Sequence, residues 1–180
     1  RRWLLGVLWL LSTAAWADDV DLQALPADGL VLGPRWELLH DADRNLDLAT
    51  ALGGDWQPST ASGEAVSFGY SREAVWLRLT LRNSGSQPAQ AVLDISYPLL
   101  QYLDVLLLAP DGTATRQELG YQRPFAHRLW PGGNFSVPIT LAPGESRRLV
   151  LRVASANSLI VPARLWRADV FPRFDQRRLA

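Results

Sequence analysis

The most informative part of this sequence is the run Val75-Trp76-Leu77-Arg78-Leu79-Thr80-Leu81-Arg82-Asn83. Its odd positions up to Leu81 are all aliphatic, and this period of two predicts a β-strand that buries one face. The other face carries Trp76 and Arg78, followed by Thr80 and Arg82. A strand that merely closes a sheet has no need of a large aromatic side chain between cations. The pattern therefore points to a ligand-binding surface.

Strand patterns separated by turn residues continue along most of the chain. About eight or nine strands at 8–12-residue spacing are predicted, which is typical of an antiparallel β-sandwich. The jelly roll is the favoured version of this all-β fold. One short helix is expected near the N-terminus, over residues 46–52. Asp43 or Asn45 would cap its start, and Gly53-Gly54 would end it.

Two prolines interrupt strand patterns in the last third of the sequence. Pro138 lies inside an alternating run that begins at Phe135, and Pro162 lies inside Leu159-Ile160-Val161-Pro162-Ala163-Arg164-Leu165-Trp166. Proline has no backbone N–H to donate to a neighbouring strand. Both strands are therefore expected at sheet edges, with a bulge as the alternative at Pro138.

The composition limits the classes of function. Arginine supplies all 18 basic residues and balances 18 acidic residues, so the formal net charge is zero. A nucleic-acid-binding domain normally shows a basic excess, so no nucleic-acid partner is expected. The absence of cysteine excludes disulfides, thiol catalysis and Cys-ligated zinc. Export without disulfides is compatible with a bacterial periplasm.

The amino terminus resembles an export signal. Arg1-Arg2 precede an apolar run over residues 3–11, and Ala15-Trp16-Ala17 matches the small-x-small cleavage rule. The apolar run is too short to span a bilayer, although an uncleaved anchor or a buried helix is the alternative. We predict four segments. They are a signal peptide (1–17), a lead-in segment (18–34), a β-sandwich sensor domain (35–170) and a juxtamembrane tail (171–180).

Signatures of catalysis are weak in this sequence. A serine triad needs a histidine, and the chain contains only His40 and His127, with no Gly-x-Ser-x-Gly elbow. A glycosidase needs two carboxylates on opposite sides of a cleft, and no glutamate stands in a recognisable catalytic neighbourhood. The chain is therefore expected to bind a ligand without transforming it.

Six residues are the candidates for ligand binding. They are Trp76, Arg78, Arg123, His127, Arg128 and Arg152. Aromatic rings stack on sugar faces, and arginine clamps carboxylates or paired hydroxyls. The loop over residues 121–130 interleaves such groups, and long loops on a rigid sandwich often determine specificity. Arg152 and Arg164 are expected on the non-core side of their strands. They would share a sheet face with Trp76 if the strand order places their strands in the same sheet. The alternative is that Trp76 is covered by the helix or a loop.

A calcium site is a further alternative, at Asp41, Asp43, Asn45 and Asp47. These residues place oxygen atoms at alternate positions, and calcium prefers several oxygen ligands. An EF-hand loop would have glycine and glutamate where Leu46 and Leu52 stand. Helix capping explains the same residues more simply, so no metal is assigned and Ca²⁺ stays an open alternative.

An ordered set of segments resembles a known family, the second type of 7TMR-DISM extracellular domain. The segments are Phe68-Gly69-Tyr70, Val75-Trp76-Leu77-Arg78, Leu81-Arg82-Asn83, Tyr97-Pro98-Leu99-Leu100, residues 120–124 and residues 159–166. The likeness covers roughly residues 35–170. Members are periplasmic ligand-sensing domains with a carbohydrate-binding-like jelly roll. They precede seven transmembrane helices and a cytoplasmic histidine kinase or diguanylate cyclase.

The resemblance implies a role in signal transduction, such as a two-component system. The chain would be the periplasmic domain of an inner-membrane protein, with its own transmembrane region beyond residue 180. Its partners would be a small-molecule or carbohydrate ligand and that membrane region. The family shares a fold more than a fixed set of ligand residues, so no binding position is transferred from it. A Ca²⁺-sensing version of the domain and a non-sensing module that forms a homodimer stay open.

Overall fold

The computed structural model describes residues 19–130 and 132–179, with side chains described to residue 175. The predicted signal peptide lies outside these residues. In chain order the elements are β1 (Val20–Asp21), β2 (Leu30–Val31), β3 (Glu37–Asp41), α1 (Leu48–Leu52), β4 (Gln57–Pro58), β5 (Ala65–Tyr70), β6 (Ala74–Arg82), β7 (Ala89–Ile95), β8 (Tyr102–Leu108), β9 (Ala114–Leu119), β10 (Phe135–Leu141), β11 (Ser146–Ala154), β12 (Ser158–Arg167) and α2 (Phe171–Leu179).

The strands form two sheets, as the predicted β-sandwich requires. The larger sheet has the order β4-β3-β6-β11-β8-β9, and β1 also pairs with β6. The smaller sheet has the order β10-β7-β12-β2, and β5 also pairs with β12. Among the described residues, every ladder is antiparallel except the short one between β1 and β6. The all-β antiparallel class predicted from the sequence is therefore confirmed.

The core lies between the two sheets and is built from alternating positions. In β6 the odd side chains from Val75 to Leu81 are at most 2% exposed, as their period of two predicts. They pack in one cluster with inward side chains of the smaller sheet, such as Leu93 and Leu165. Full burial of each such side chain stabilises the fold by about 1.5–3 kcal/mol. The predicted lead-in segment contributes Leu22 to the same cluster.

The short elements differ from the prediction. Within the described residues, nine strands have five or more residues, which agrees with the predicted eight or nine. Three further strands (β1, β2 and β4) have two residues each, too few for a period to appear. The cap of α1 is Asp47, whose carboxylate accepts the Thr50 N–H at 2.8 Å, so the predicted caps Asp43 and Asn45 are wrong. The predicted tail contains a second helix, α2.

The two proline-containing strands occupy different places in the smaller sheet. β10, with Pro138, is an edge strand as predicted. The edge prediction for β12 is wrong, since this strand lies between β7 and β2. Pro162 is tolerated because β7 ends at Ile95, beside Ala163. There the Pro162 carbonyl oxygen still accepts the Ser96 N–H at 3.1 Å.

The turn after β10 carries a carboxylate whose ionisation stabilises the fold. Glu145 accepts the Ala142 N–H at 2.7 Å and the Arg147 Nε–H at 2.5 Å. These bonds lower the pKa of the Glu145 carboxyl below its ordinary value of 4.5. Because the pKa is lower in the folded state, the stabilisation is present above pH 4.5 and is lost as the pH falls through the folded value.

We therefore expect the free energy of unfolding to decrease on acidification below pH 4.5. Part of this decrease should be absent from Glu145→Gln, which has no carboxyl group to protonate. Urea denaturation in steps from about pH 6 to about pH 3 measures both slopes. Identical slopes in the two proteins would contradict this assignment.

Candidate functional site

The predicted binding residues of β6 and β11 lie side by side on the outer face of the larger sheet. The register pairs Trp76 with Arg152, and it pairs Arg152 with Asp104 of β8. Asp104 is in turn paired with Glu118 of β9. The strand order thus places Arg152 beside Trp76, whereas Arg164 lies on β12 of the other sheet.

The expectation that Trp76 presents its ring to solvent is wrong. Its side chain is 3% exposed and packs with Ala51 of α1, Trp56 and Val150 in a second hydrophobic cluster. Its Nε1–H lies 3.4 Å from an oxygen of Asp41. α1 covers this part of the sheet, which is the alternative that the sequence left open. The ring is therefore not available for stacking on a ligand while α1 is in place.

The two arginines beside Trp76 are held by carboxylates and rings of the domain itself. The Arg78 Nε lies 2.6 Å from Glu37, and its guanidinium stacks 4.3 Å from the centre of the Trp56 ring. Arg152 lies 3.8 Å from Asp41. These contacts attach β6 and β11 to β3 and to the segment that contains α1. On this face the predicted cations serve the packing of the domain.

The predicted loop residues are also engaged. Arg123 forms ion pairs with Asp104 and Glu118, each at 3.0 Å. The His127 Nδ1 lies 3.2 Å from the backbone oxygen of Glu118. Arg128 donates to a backbone carbonyl oxygen at 2.8 Å. Arg123 thus joins the row formed by Trp76, Arg152, Asp104 and Glu118 on the outer face of the larger sheet. His127 and Arg128 lie in the loop between β9 and β10 and do not join this row.

Two of the four residues of the calcium alternative, Asp41 and Asp47, have other partners. Asp41 is buried and accepts the backbone N–H groups of Asn45 at 3.0 Å and of Leu46 at 3.3 Å. Asp47 caps α1, and the bond from Thr50 lowers the pKa of the Asp47 carboxyl. Among the described residues, no group of three or more His, Asp or Glu side chains is arranged to hold a metal ion. Turn and cap bonds account for Asp41 and Asp47.

The outer face of the smaller sheet carries a groove of about 1000 Å³. Its floor is formed by strands β7 and β12, and its walls by the segment before β2 and by α2. Six of its lining residues are Glu64, Asp94, Ser96, Asn134, Arg164 and Trp166. From α2 and the turn before it, Val170, Arg173 and Phe174 complete the wall. Strands and a helix therefore meet around one polar and aromatic cavity.

A row of polar side chains crosses the floor of this groove. The register pairs Ser136 with Asp94, and it pairs Asp94 with Arg164. Asp94 is 1% exposed and accepts the Ser136 hydroxyl at 2.8 Å. Arg164 donates to Glu64 at 3.0 Å and to the backbone oxygen of Asp28 at 2.6 Å. These bonds fix the direction of the guanidinium at the wall of the groove.

Aromatic side chains join α2 to the sheet at the same place. The Trp166 and Phe174 rings are stacked, with centroids 4.1 Å apart and planes at 28°. The Trp166 Nε1 is buried and has no hydrogen-bond partner among the described residues. A buried N–H without a partner costs about 1–3 kcal/mol.

The signal that would have found this groove is present in the sequence. Arg164 and Trp166 alternate on the outer side of their strand, as Arg78 and Trp76 do on theirs. Asp94 interrupts the apolar run of β7 on its outer face. The period of two does not show beside which of these two tryptophan-arginine pairs a helix leaves an open groove. That depends on where the helices pack.

The fold and its groove define the chain as a β-sandwich domain with an open polar cavity on one sheet. A sequence profile of the 7TMR-DISM extracellular 2 family matches residues 33–167. The match covers most of the chain, which therefore belongs to this family, as the resemblance predicted. The chain is accordingly a periplasmic or extracellular domain of the kind that serves membrane receptors as a sensor. Within the described residues, every helix is too short or too polar to cross a membrane.

Other comparisons are more distant. No characterised protein sequence matches the chain. Among solved structures, a Cry1Da tryptic core variant of Bacillus thuringiensis is 10% identical, with a TM-score of 0.33 over 59% of this chain and 21% of that one. A family GH115 4-O-methyl-α-glucuronidase is 11% identical, with a TM-score of 0.32 over 73% and 16%. An exo-β-1,3-galactanase from Phanerochaete chrysosporium is 13% identical, with a TM-score of 0.29 over 64% and 31%. The chain spans less than a third of each structure.

Proposed function

We propose that this domain senses a small polar ligand held in the groove between the smaller sheet and α2. The observation that carries the proposal is the groove itself, which has a volume of about 1000 Å³ and is lined by both the sheet and the helix. Cavities of roughly 300–1,000 Å³ are typical of small-molecule sites. On the predicted ligand face, the Trp76 ring is covered by α1.

The lining of the groove indicates the chemistry of its ligand. The Arg164 guanidinium is suited to a carboxylate or to paired hydroxyls. The half-exposed carboxylate of Glu64 accepts hydrogen bonds from hydroxyl or amino groups, and the Phe174 ring provides apolar contact. Asp94 and Trp166 lie beneath this surface and support it. A molecule with several hydroxyl or amino groups, such as a monosaccharide or an amino acid, fits this set.

The ligand would act through α2. This helix contributes one wall of the groove, so a ligand that contacts both sides binds one position of α2 more tightly than others. Binding would then shift the population of helix positions. In the full receptor, the shift would pass to the transmembrane region and a cytoplasmic histidine kinase or diguanylate cyclase. We propose binding without turnover, since Glu64 is engaged by Arg164 and Asp94 by Ser136.

The test is calorimetry of the purified chain with monosaccharides, amino acids and Ca²⁺. We expect Arg164→Ala to weaken binding of the ligand so found at least tenfold, which corresponds to about 1.4 kcal/mol. The matched control is Arg152→Ala, the same change on the outer face of the other sheet, and it should leave binding unchanged.

Three results would contradict the proposal. Loss of binding in Arg152→Ala but not in Arg164→Ala would move the site to the larger sheet, as the sequence first suggested. If calorimetry detects no binding of any tested compound, and sedimentation shows a concentration-dependent dimer, the domain would instead be a non-sensing dimerisation module. Turnover of any glycan would make the domain an enzyme.

A further inference from the structure

Large apolar side chains are exposed together at one end of the sandwich. The most exposed are Tyr70 at 89% and Phe125 at 64%. The full set among the described residues is Tyr70, Leu99, Tyr102, Tyr121, Phe125 and Leu129. Tyr102 begins β8 opposite Ala154, the last residue of β11, and Tyr70 ends β5 opposite the first residue of β12. Exposed apolar groups that cluster in this way mark interaction surfaces.

Three loops at this end, here called the end loops, form one ordered surface. They are residues 96–101, 120–130 with 132–134, and 155–157. The Tyr121 hydroxyl accepts hydrogen bonds from Gln101 at 2.9 Å and from Asn157 at 3.3 Å. The Gln101 side chain also accepts the Ala156 N–H at 2.6 Å. The loops approach so closely that a Cβ at Gly120, whose φ is +123°, would overlap the carbonyl oxygen of Gln101.

The charge of the end loops is one-sided. Their sequences contain Arg123, His127 and Arg128 but no aspartate or glutamate. The charge of Arg123 is compensated by carboxylates of β8 and β9. Arg128 instead donates to the backbone oxygen of Gly132, and its guanidinium lies 4.8 Å from the centre of the Phe125 ring. A half-buried cation therefore lies beside an exposed aromatic ring in the loop between β9 and β10.

We propose that the end loops contact the headgroup layer of a membrane that contains anionic lipid. Tyrosine and arginine keep a polar tip near headgroups while their apolar parts enter the boundary, and phenylalanine and leucine add buried area. The end loops have no carboxylate of their own, and the Arg128 guanidinium beside the Phe125 ring is complementary to anionic headgroups. The family consists of extracellular domains of membrane receptors. A membrane would therefore lie close to the end loops in the full receptor.

This contact would be joined to α2. The Trp130 Nε1–H, in the loop that carries Phe125 and Leu129, donates to Asp175 of α2 at 2.9 Å. Docking of the end loops would hold that loop, and through Trp130 it would favour one position of the helix. The inference does not require the groove to bind a ligand, so each can fail separately.

The experiment is co-sedimentation of the purified chain with vesicles of phosphatidylethanolamine and phosphatidylglycerol, or of phosphatidylcholine alone. We expect binding to the anionic vesicles, weakened about tenfold in the double variant F125S/L129S. Leu99→Ser, on another of the end loops, should weaken it less. The control is Pro143→Ser, an exposed position in the turn between β10 and β11 at the opposite end, and it should bind as the original chain does. Thermal unfolding confirms that each variant folds.

Three outcomes would overturn the proposal. One is the absence of sedimentation with either kind of vesicle. Another is equal binding of F125S/L129S and the original chain. The third is a concentration-dependent dimer, seen by sedimentation velocity, that the double variant abolishes while vesicle binding is unaffected. In that case the end loops would contact a second copy of the chain.

Discussion

Replacing Trp76 with alanine is expected to lower the free energy of unfolding by about 3–5 kcal/mol, the range for a large buried aromatic side chain. Trp76 is 3% exposed and fills the space between β6 and α1, where it contacts Ala51, Trp56 and Val150. Truncation leaves a cavity under the helix and removes the donor that faces the buried carboxylate of Asp41. Urea denaturation at neutral pH measures the change.

The control for this variant is Phe125→Ala, which truncates an exposed aromatic side chain. Its effect on the free energy of unfolding should stay within about 0.5 kcal/mol. A loss from Trp76→Ala as small as that of the control would mean that the ring is not packed under α1. The first interpretation of the sequence, with Trp76 open to a ligand, would then return.

Replacing Phe171 with alanine is expected to release α2 from the smaller sheet. Phe171 is fully buried, with its ring 5.0 Å from that of Trp130 and 6.4 Å from that of Trp166. The change costs about 3–5 kcal/mol of packing. An isolated helix of nine residues is not stable in water, so the loss should appear as local detachment.

Hydrogen exchange followed by mass spectrometry distinguishes local from global loss. Peptides from α2 should lose nearly all protection in Phe171→Ala, whereas peptides from β6 and β11 should keep theirs. The matched control is Arg173→Ala on the exposed side of the same helix, which should exchange as the original chain does. Equal loss of protection in α2 and the central strands would show that α2 is inseparable from the core, and the proposed signalling movement would be excluded.

The sequence was sufficient for the parts of the fold that depend on local periodicity. The alternation in β6 predicts both its strand and its buried face, because a strand exposes successive side chains on opposite sides. The same argument recovers the long strands, and the missing N–H of Pro138 predicts the edge position of β10. The proline argument fails for β12, because its central place depends on strand order, which the pattern of one strand does not contain.

The site was harder to predict because two faces carry the same pattern. Trp76 with Arg78 and Trp166 with Arg164 are indistinguishable as aromatic-cationic pairs on outer faces. Both indoles are covered by a helix, but α2 leaves a groove beside Arg164 and Trp166. The position of α2 follows from Phe171 and Phe174, whose partners are distant in the sequence. Only tertiary packing separates the two faces.

Indole N–H resonances in a ¹H–¹⁵N spectrum, assigned with single Trp→Phe variants, follow both sheet faces in one experiment. The Trp166 resonance reports on the groove. The resonances of Trp76 and Trp56 report on the outer face of the larger sheet. We predict that a ligand found by calorimetry shifts the Trp166 resonance strongly and leaves those of Trp76 and Trp56 in place. Shifts of Trp76 and Trp56 with an unchanged Trp166 would contradict a site between the smaller sheet and α2.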